Sequence, residues 1–131
     1  MQQNEKMFEE IYQAFLRTYR NQATRTDTAN YLSSVYAMYK PSTYMRYLDS
    51  FLHMMDGTQF ASVVPINLSV YLLQCIERDF GVSALQQALL AEKQHIQYYY
   101  DVCGSASKGL RTALQALASQ HDLQIVFSTP Y

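Results

Sequence analysis

At 131 residues the chain fits one domain, able to bury roughly two thirds of the surface its unfolded form would expose, so it needs neither metal nor disulfide to fold. It is 49% hydrophobic and 16% charged, with a formal net charge of -1; the charged share is below the roughly 25% usual for soluble globular chains, and Gln, Ser, Thr and Tyr supply the missing surface polarity. With 4 Gly and 3 Pro there is little room for linkers, and no apolar run approaches the roughly 18 residues that a helix needs to span a bilayer.

The opening stretch "MQQNEKMFEE" has no basic n-region followed by an apolar h-region, so a signal peptide is not expected. The first helix is predicted from about Asn4 to about Arg20, where Phe8, Ile11, Tyr12, Phe15 and Tyr19 make one stripe at helical spacing and Glu9, Gln13, Arg17 and Arg20 lie opposite. A second helix runs from about Asp27 to Tyr39 and stops because Pro41 disfavours helical geometry at the residue before it. Ser42 starts a third, which ends before Gly57. "TQFASVVPI" is apolar and β-branched, too short for a helix and interrupted by Pro65, so it reads as an extended connection or short strand.

The fourth helix is predicted from Asn67, read as its cap, to about Phe80. The fifth opens on Ser83 and Gln86, an S-x-x-Q capping box after Gly81, and continues to Cys103 before Gly104. The sixth runs from Ser105 or Ser107 to about Gln120 with Leu110, Leu114 and Leu117 as its stripe. In the closing "LQIVFS", Leu123, Ile125 and Phe127 alternate on one face, as in a strand. The expected fold is therefore all-α: one domain over 1–131, a compact bundle of about six helices, with a short C-terminal strand that pairs with residues 59–64 or joins a second molecule. Cys75 and Cys103, both set among apolar residues, read as buried reduced thiols, and the expected location is cytoplasmic.

Projected at 100° per residue, the second helix puts Leu32, Val35 and Tyr39 at the middle of its apolar face, with Tyr31, Tyr36 and Met38 nearer its edges. The third centres on Tyr44, Leu48, Phe51 and Met55, with Tyr47 at an edge and Arg46, Asp49 and His53 opposite. Tyr39 and Tyr44 are thus expected in the core, while Tyr36 and Tyr47 border solvent beside Lys40 and Arg46. Rings at such a margin either seal the core with wet tips or form a recognition patch, since Tyr, Met and Arg are enriched at interface centres. From Ile11 to Leu48 the residues Arg17, Arg20, Arg25, Lys40 and Arg46 stand against Asp27 alone, a local excess of positive charge that suits an acidic protein surface, or phosphates with bases stacked on tyrosine.

The run of "STYMRYLDSFL", "NLSVYLLQC" and "GVSALQQALL" leading to "YYY" resembles, over roughly residues 28 to 100, the core-binding domain of tyrosine recombinases, which implies DNA binding. Such enzymes also carry a catalytic domain with an H-x-x-R motif, and none of His53, His95 or His121 has Arg three residues later, so no family is assigned. Arg78 and Lys93 are the only basic residues on the fourth and fifth helices, fewer than a DNA-gripping module calls for.

In "EKQH", Glu92 and His95 have the i, i+3 spacing used in di-iron carboxylate bundles, but a second E-x-x-H is absent, and the pair reads as two polar residues at the margin of a helix face. No histidine or cysteine spacing fits zinc or a nucleophile, and "CGSASKG" lacks P-loop spacing. On the fifth helix Leu90 and Tyr98 project away from the main stripe, so that helix is either covered on two sides or offers an apolar patch.

These residues lead to a non-enzymatic, cofactor-free binding protein acting by protein–protein interaction, of the inhibitor, immunity or regulatory kind that phages and bacteria encode. Its partner-binding residues are Tyr36, Lys40, Arg46, Tyr47, Arg17, Arg20 and Arg25, and Leu90 with Tyr98 form a further apolar patch. The alternative is a nucleic-acid-binding module using the same Tyr/Arg face, and a remoter one a di-iron enzyme. No membrane partner is expected; a homodimer through the terminal strand or the fifth helix fits the same sequence.

Overall fold

A computed structural model describes residues 3–127. The fold is all-α, with six helices and no strand among the described residues: α1 Gln3–Tyr19, α2 Arg25–Val35, α3 Pro41–Asp56, α4 Ile66–Phe80, α5 Val82–Cys103 and α6 Lys108–Gln120. No helix among them is long and apolar enough to cross a membrane. The chain divides into two compact units, Met1–Leu52 and His53–Tyr131.

In the first unit α1 packs against α2. Its core is aromatic: Ile11, Tyr12 and Phe15 are fully buried with Leu32, Tyr44, Leu48 and Phe51, and Phe51 meets Tyr12 edge-on at 5.9 Å and Phe15 tilted at 5.7 Å. Pairs at such angles add to the transfer free energy of ring burial. Asn21 ends α1 at φ 60, where its N–H bonds Thr18 O and that of Gln22 bonds Arg17 O, the paired closure of a Schellman turn. Asn tolerates this left-handed position better than a branched residue.

The second helix starts and stops earlier than its sequence predicts. Thr24 caps it, accepting the Asp27 N–H on Oγ1 at 3.1 Å, and Tyr36 leaves the helix at φ -125, ψ 86. Side-chain hydroxyls then take over from the helical ladder: Ser33 Oγ donates to Tyr39 O at 3.0 Å and Tyr44 OH to Tyr36 O at 2.7 Å. With those carbonyls satisfied, the turn ahead of Pro41 holds without a further helical turn. Val35 consequently lies half exposed, not at the middle of a buried face.

In the second unit α4 packs against both α5 and α6, burying Leu68, Leu72, Leu73 and Ile76 with Leu85, Ile96 and Leu114. Gly57 closes α3 at φ 70, with its N–H on Met54 O and that of Thr58 on His53 O. Asp122 ends α6 in the same way at φ 55.

Four local expectations are corrected here. The fourth helix begins at Ile66 after Pro65, so Asn67 lies inside it and does not cap it. Gly81 makes the whole connection to α5 at φ 92, ψ 177; Ser83 is already inside the first turn and the S-x-x-Q box forms no cap bond. Cys75 is buried, but Cys103, in the last turn of α5, is exposed. Neither 59–64 nor the described part of "LQIVFS" is a strand, and Ser128 lies outside the described residues. The first segment is held by its side chains, with Phe60 and Val64 in the core. In the second, Phe127 takes the Arg111 guanidinium over its ring at 5.0 Å.

Candidate functional site

The tyrosines and basic residues of the Tyr/Arg face singled out in the sequence fall in the first unit, and most are already engaged there. Arg25 forms a bidentate pair with Asp49, Nε to Oδ1 at 2.7 Å and Nη2 to Oδ2 at 2.6 Å, and that hydrogen bond raises the guanidinium pKa further. Tyr36 is half-buried and its hydroxyl donates to the Glu10 carboxylate; the bond, which ionising the phenol would break, raises its pKa to about 12. Tyr47 does not border solvent: it is buried, edge-on to Tyr39 at 5.2 Å, and Tyr39 in turn meets Tyr44 at 5.4 Å. Tyr39 itself is half-buried, whereas Tyr44 is fully enclosed and burial pushes its hydroxyl up to about 12.

The accessible face is different. Tyr31 and Val35 are each 48% exposed and Met38 is 65% exposed, spaced at four and three residues along α2 and the turn after it. The Arg17 guanidinium lies over the Tyr31 ring at 5.9 Å, which joins the outer face of α1 to this strip. Arg20, Lys40 and Arg46 are exposed as well, and Arg46 Nη2 lies a long 3.4 Å from Thr43 Oγ1. Sequence reasoning placed Tyr31 and Met38 near the edge of the apolar face without counting them as binding residues, and missed Val35 because it extended the helix to Tyr39, a register that places Val35 in the core.

In the second unit Leu90 is 47% exposed and borders a groove of about 280 Å³, shared with Leu89, Lys93, Leu123 and Ile125. Tyr98 is half-buried. Glu92 and His95 are not at a margin: Glu92 is 0% exposed and His95 2%. Neither carboxyl oxygen of Glu92 has a hydrogen-bond partner among the described residues, and burial raises its pKa to about 8. His95 stacks on Phe60 at 4.3 Å and 9°, with Nδ1 2.7 Å from Phe60 O. A carbonyl only accepts, so Nδ1 carries the proton; burial, the larger effect, lowers the pKa of the ring although this bond raises it. The missed signal was in the spacing, since Glu92 follows Ala88 by four and precedes Ile96 by four, within the buried stripe. Among the described residues no three His, Cys, Asp or Glu side chains come together, so the pair has no further ligands of the kind a di-iron centre requires.

Comparison with protein-family models, with curated proteins and with solved structures gives no match.

Proposed function

We propose that the chain is a non-enzymatic binding protein of the inhibitor or regulatory kind, which docks an acidic protein surface onto the outer face of α2 and the turn at 36–40. The observation that carries this reading is the exposure of Tyr31 and Val35 on α2 and of Met38 in the turn after it, with the Arg17 guanidinium over the Tyr31 ring. Large apolar side chains left in water cost free energy that a partner recovers on covering them. Charge narrows the occupant: Arg17 at Tyr31, with exposed Lys40 and Arg46 in the same unit, attracts carboxylates, increases the rate of encounter and disfavours basic partners. Nucleic-acid binding draws less support, because Arg25 is already neutralised by Asp49 and Tyr47 has no face to offer a base.

The test compares affinity capture by the wild-type chain, by Tyr31→Ser with Met38→Ser, and by Arg17→Glu with Lys40→Glu, with and without nuclease. All four positions are exposed, so the folds are expected to remain intact. A stoichiometric protein retained after nuclease and lost with both double variants supports the reading. Capture that is equal across the three chains overturns it, as does recovery of nucleic acid with partners that vanish on nuclease treatment.

A further inference from the structure

We propose that the cavity beside His95 in the second unit binds a small uncharged molecule with an apolar body and one hydroxyl or N–H group, which donates to His95 Nε2. The cavity is about 220 Å³; a dry cavity of about 150 Å³ accommodates benzene, so one ring or a short chain fits here. Val63, Val64, Ile66 and Leu110 give it apolar walls, and Ser105 and Ser107 stand at one side. Gly109 lets one wall close, since a Cβ there would lie 3.1 Å from Ile66 Cδ1.

The polar element is built in. Phe60 covers one face of the His95 ring and its carbonyl fixes the proton on Nδ1, leaving Nε2 as a lone-pair acceptor without a partner among the described residues. An acceptor at the open edge of so enclosed a ring, 2% exposed as a residue, gains from a donor. None of the lining residues carries a formal charge, so an ion would find no countercharge among them and an uncharged ligand is favoured. The ligand class follows: apolar body, one donor, no charge.

Phenol and toluene, equal in shape and different in the hydroxyl, are the probes. They are titrated at neutral pH into the full chain labelled with ¹⁵N at histidine, reading the Nε2 resonance of His95 with His53 and His121 as internal references. The expected result is a saturable shift at His95 alone, phenol binding five- to tenfold more tightly than toluene, and loss of both in Val63→Trp, whose exposed site at the cavity allows a bulky ring to block it without disturbing the core. In His95→Phe, followed by the melting temperature, the preference for phenol disappears; should that variant fail to fold, the wild-type comparison and Val63→Trp decide. No saturable shift, or equal affinity for the two probes, overturns the proposal.

Discussion

Replacing Glu92 by Gln or Leu is expected to change how stability depends on pH more than it changes the fold. The carboxyl is fully buried without a hydrogen-bond partner among the described residues, so it stays protonated in the folded chain until about pH 8, against 4.5 for the free side chain. Between those values the unfolded chain releases a proton that the folded chain keeps, so stability falls as pH rises from about 4.5 and levels off above about 8. At 1.36 kcal/mol per unit, the cost of holding that proton is about 3 kcal/mol at pH 7 and approaches about 5 kcal/mol above pH 8, as an order of magnitude. Glu92→Leu also removes two buried oxygens from an apolar setting, and should stabilise at pH 7 by about 3 kcal/mol; Glu92→Gln keeps the polar burden but loses the slope. Urea unfolding followed by far-ultraviolet circular dichroism, repeated at half-unit steps from pH 4.5 to 8.5, measures this directly. If the difference between wild type and Glu92→Gln is constant across that range, Glu92 is ionised or solvated in the folded chain and the reasoning fails.

His95 acts in the opposite sense: its pKa is lowered, so its contribution is present above the unfolded value of 6.5 and is lost as pH falls below it. The same urea series on His95→Phe should show a flatter acid limb, and an unchanged limb would contradict a neutral buried imidazole. Gly57→Ala places a Cβ at φ +70 and 2.4 Å from Gln87 Cγ, on a side chain whose amide donates to Asp56 O at 3.0 Å; moving it disturbs that bond, so the cost should exceed the roughly 1–2 kcal/mol of the left-handed backbone alone, and a stability equal to wild type in thermal unfolding would contradict this. Thr24→Ala removes the α2 cap and should cost about 1 kcal/mol in the same assay, whereas Thr24→Ser should cost little.

Helical spacing alone carried most of the architecture. The stripes of Ile11 and Phe15 and of Leu110, Leu114 and Leu117 each mark a helix that the structure contains, with its core on that face. What escaped was decided by bonds between residues distant in the chain or by the competition at helix ends. The end of α2 is followed by a turn whose Tyr39 and Tyr36 carbonyls accept from the hydroxyls of Ser33 and Tyr44, side chains brought there by the fold. Alternation in "LQIVFS" signals a strand only if a partner strand exists, and among the described residues none does. Tyr47 and Cys103 illustrate how poorly residue type alone fixes exposure: the one is enclosed by Tyr39, and the other has run past the packed part of α5. Glu92 was misjudged because a carboxylate is expected in water, although its spacing placed it in the stripe; the rule that charges avoid cores fails where the group gives up its charge.

The most direct test of the docking face is amide hydrogen exchange on the chain alone and bound to the protein partner it captures. Protection concentrated in residues 28–40 and the end of α1 near Arg17 is the predicted footprint. Protection that spares those residues and falls on α4, α5 or α6 would contradict it.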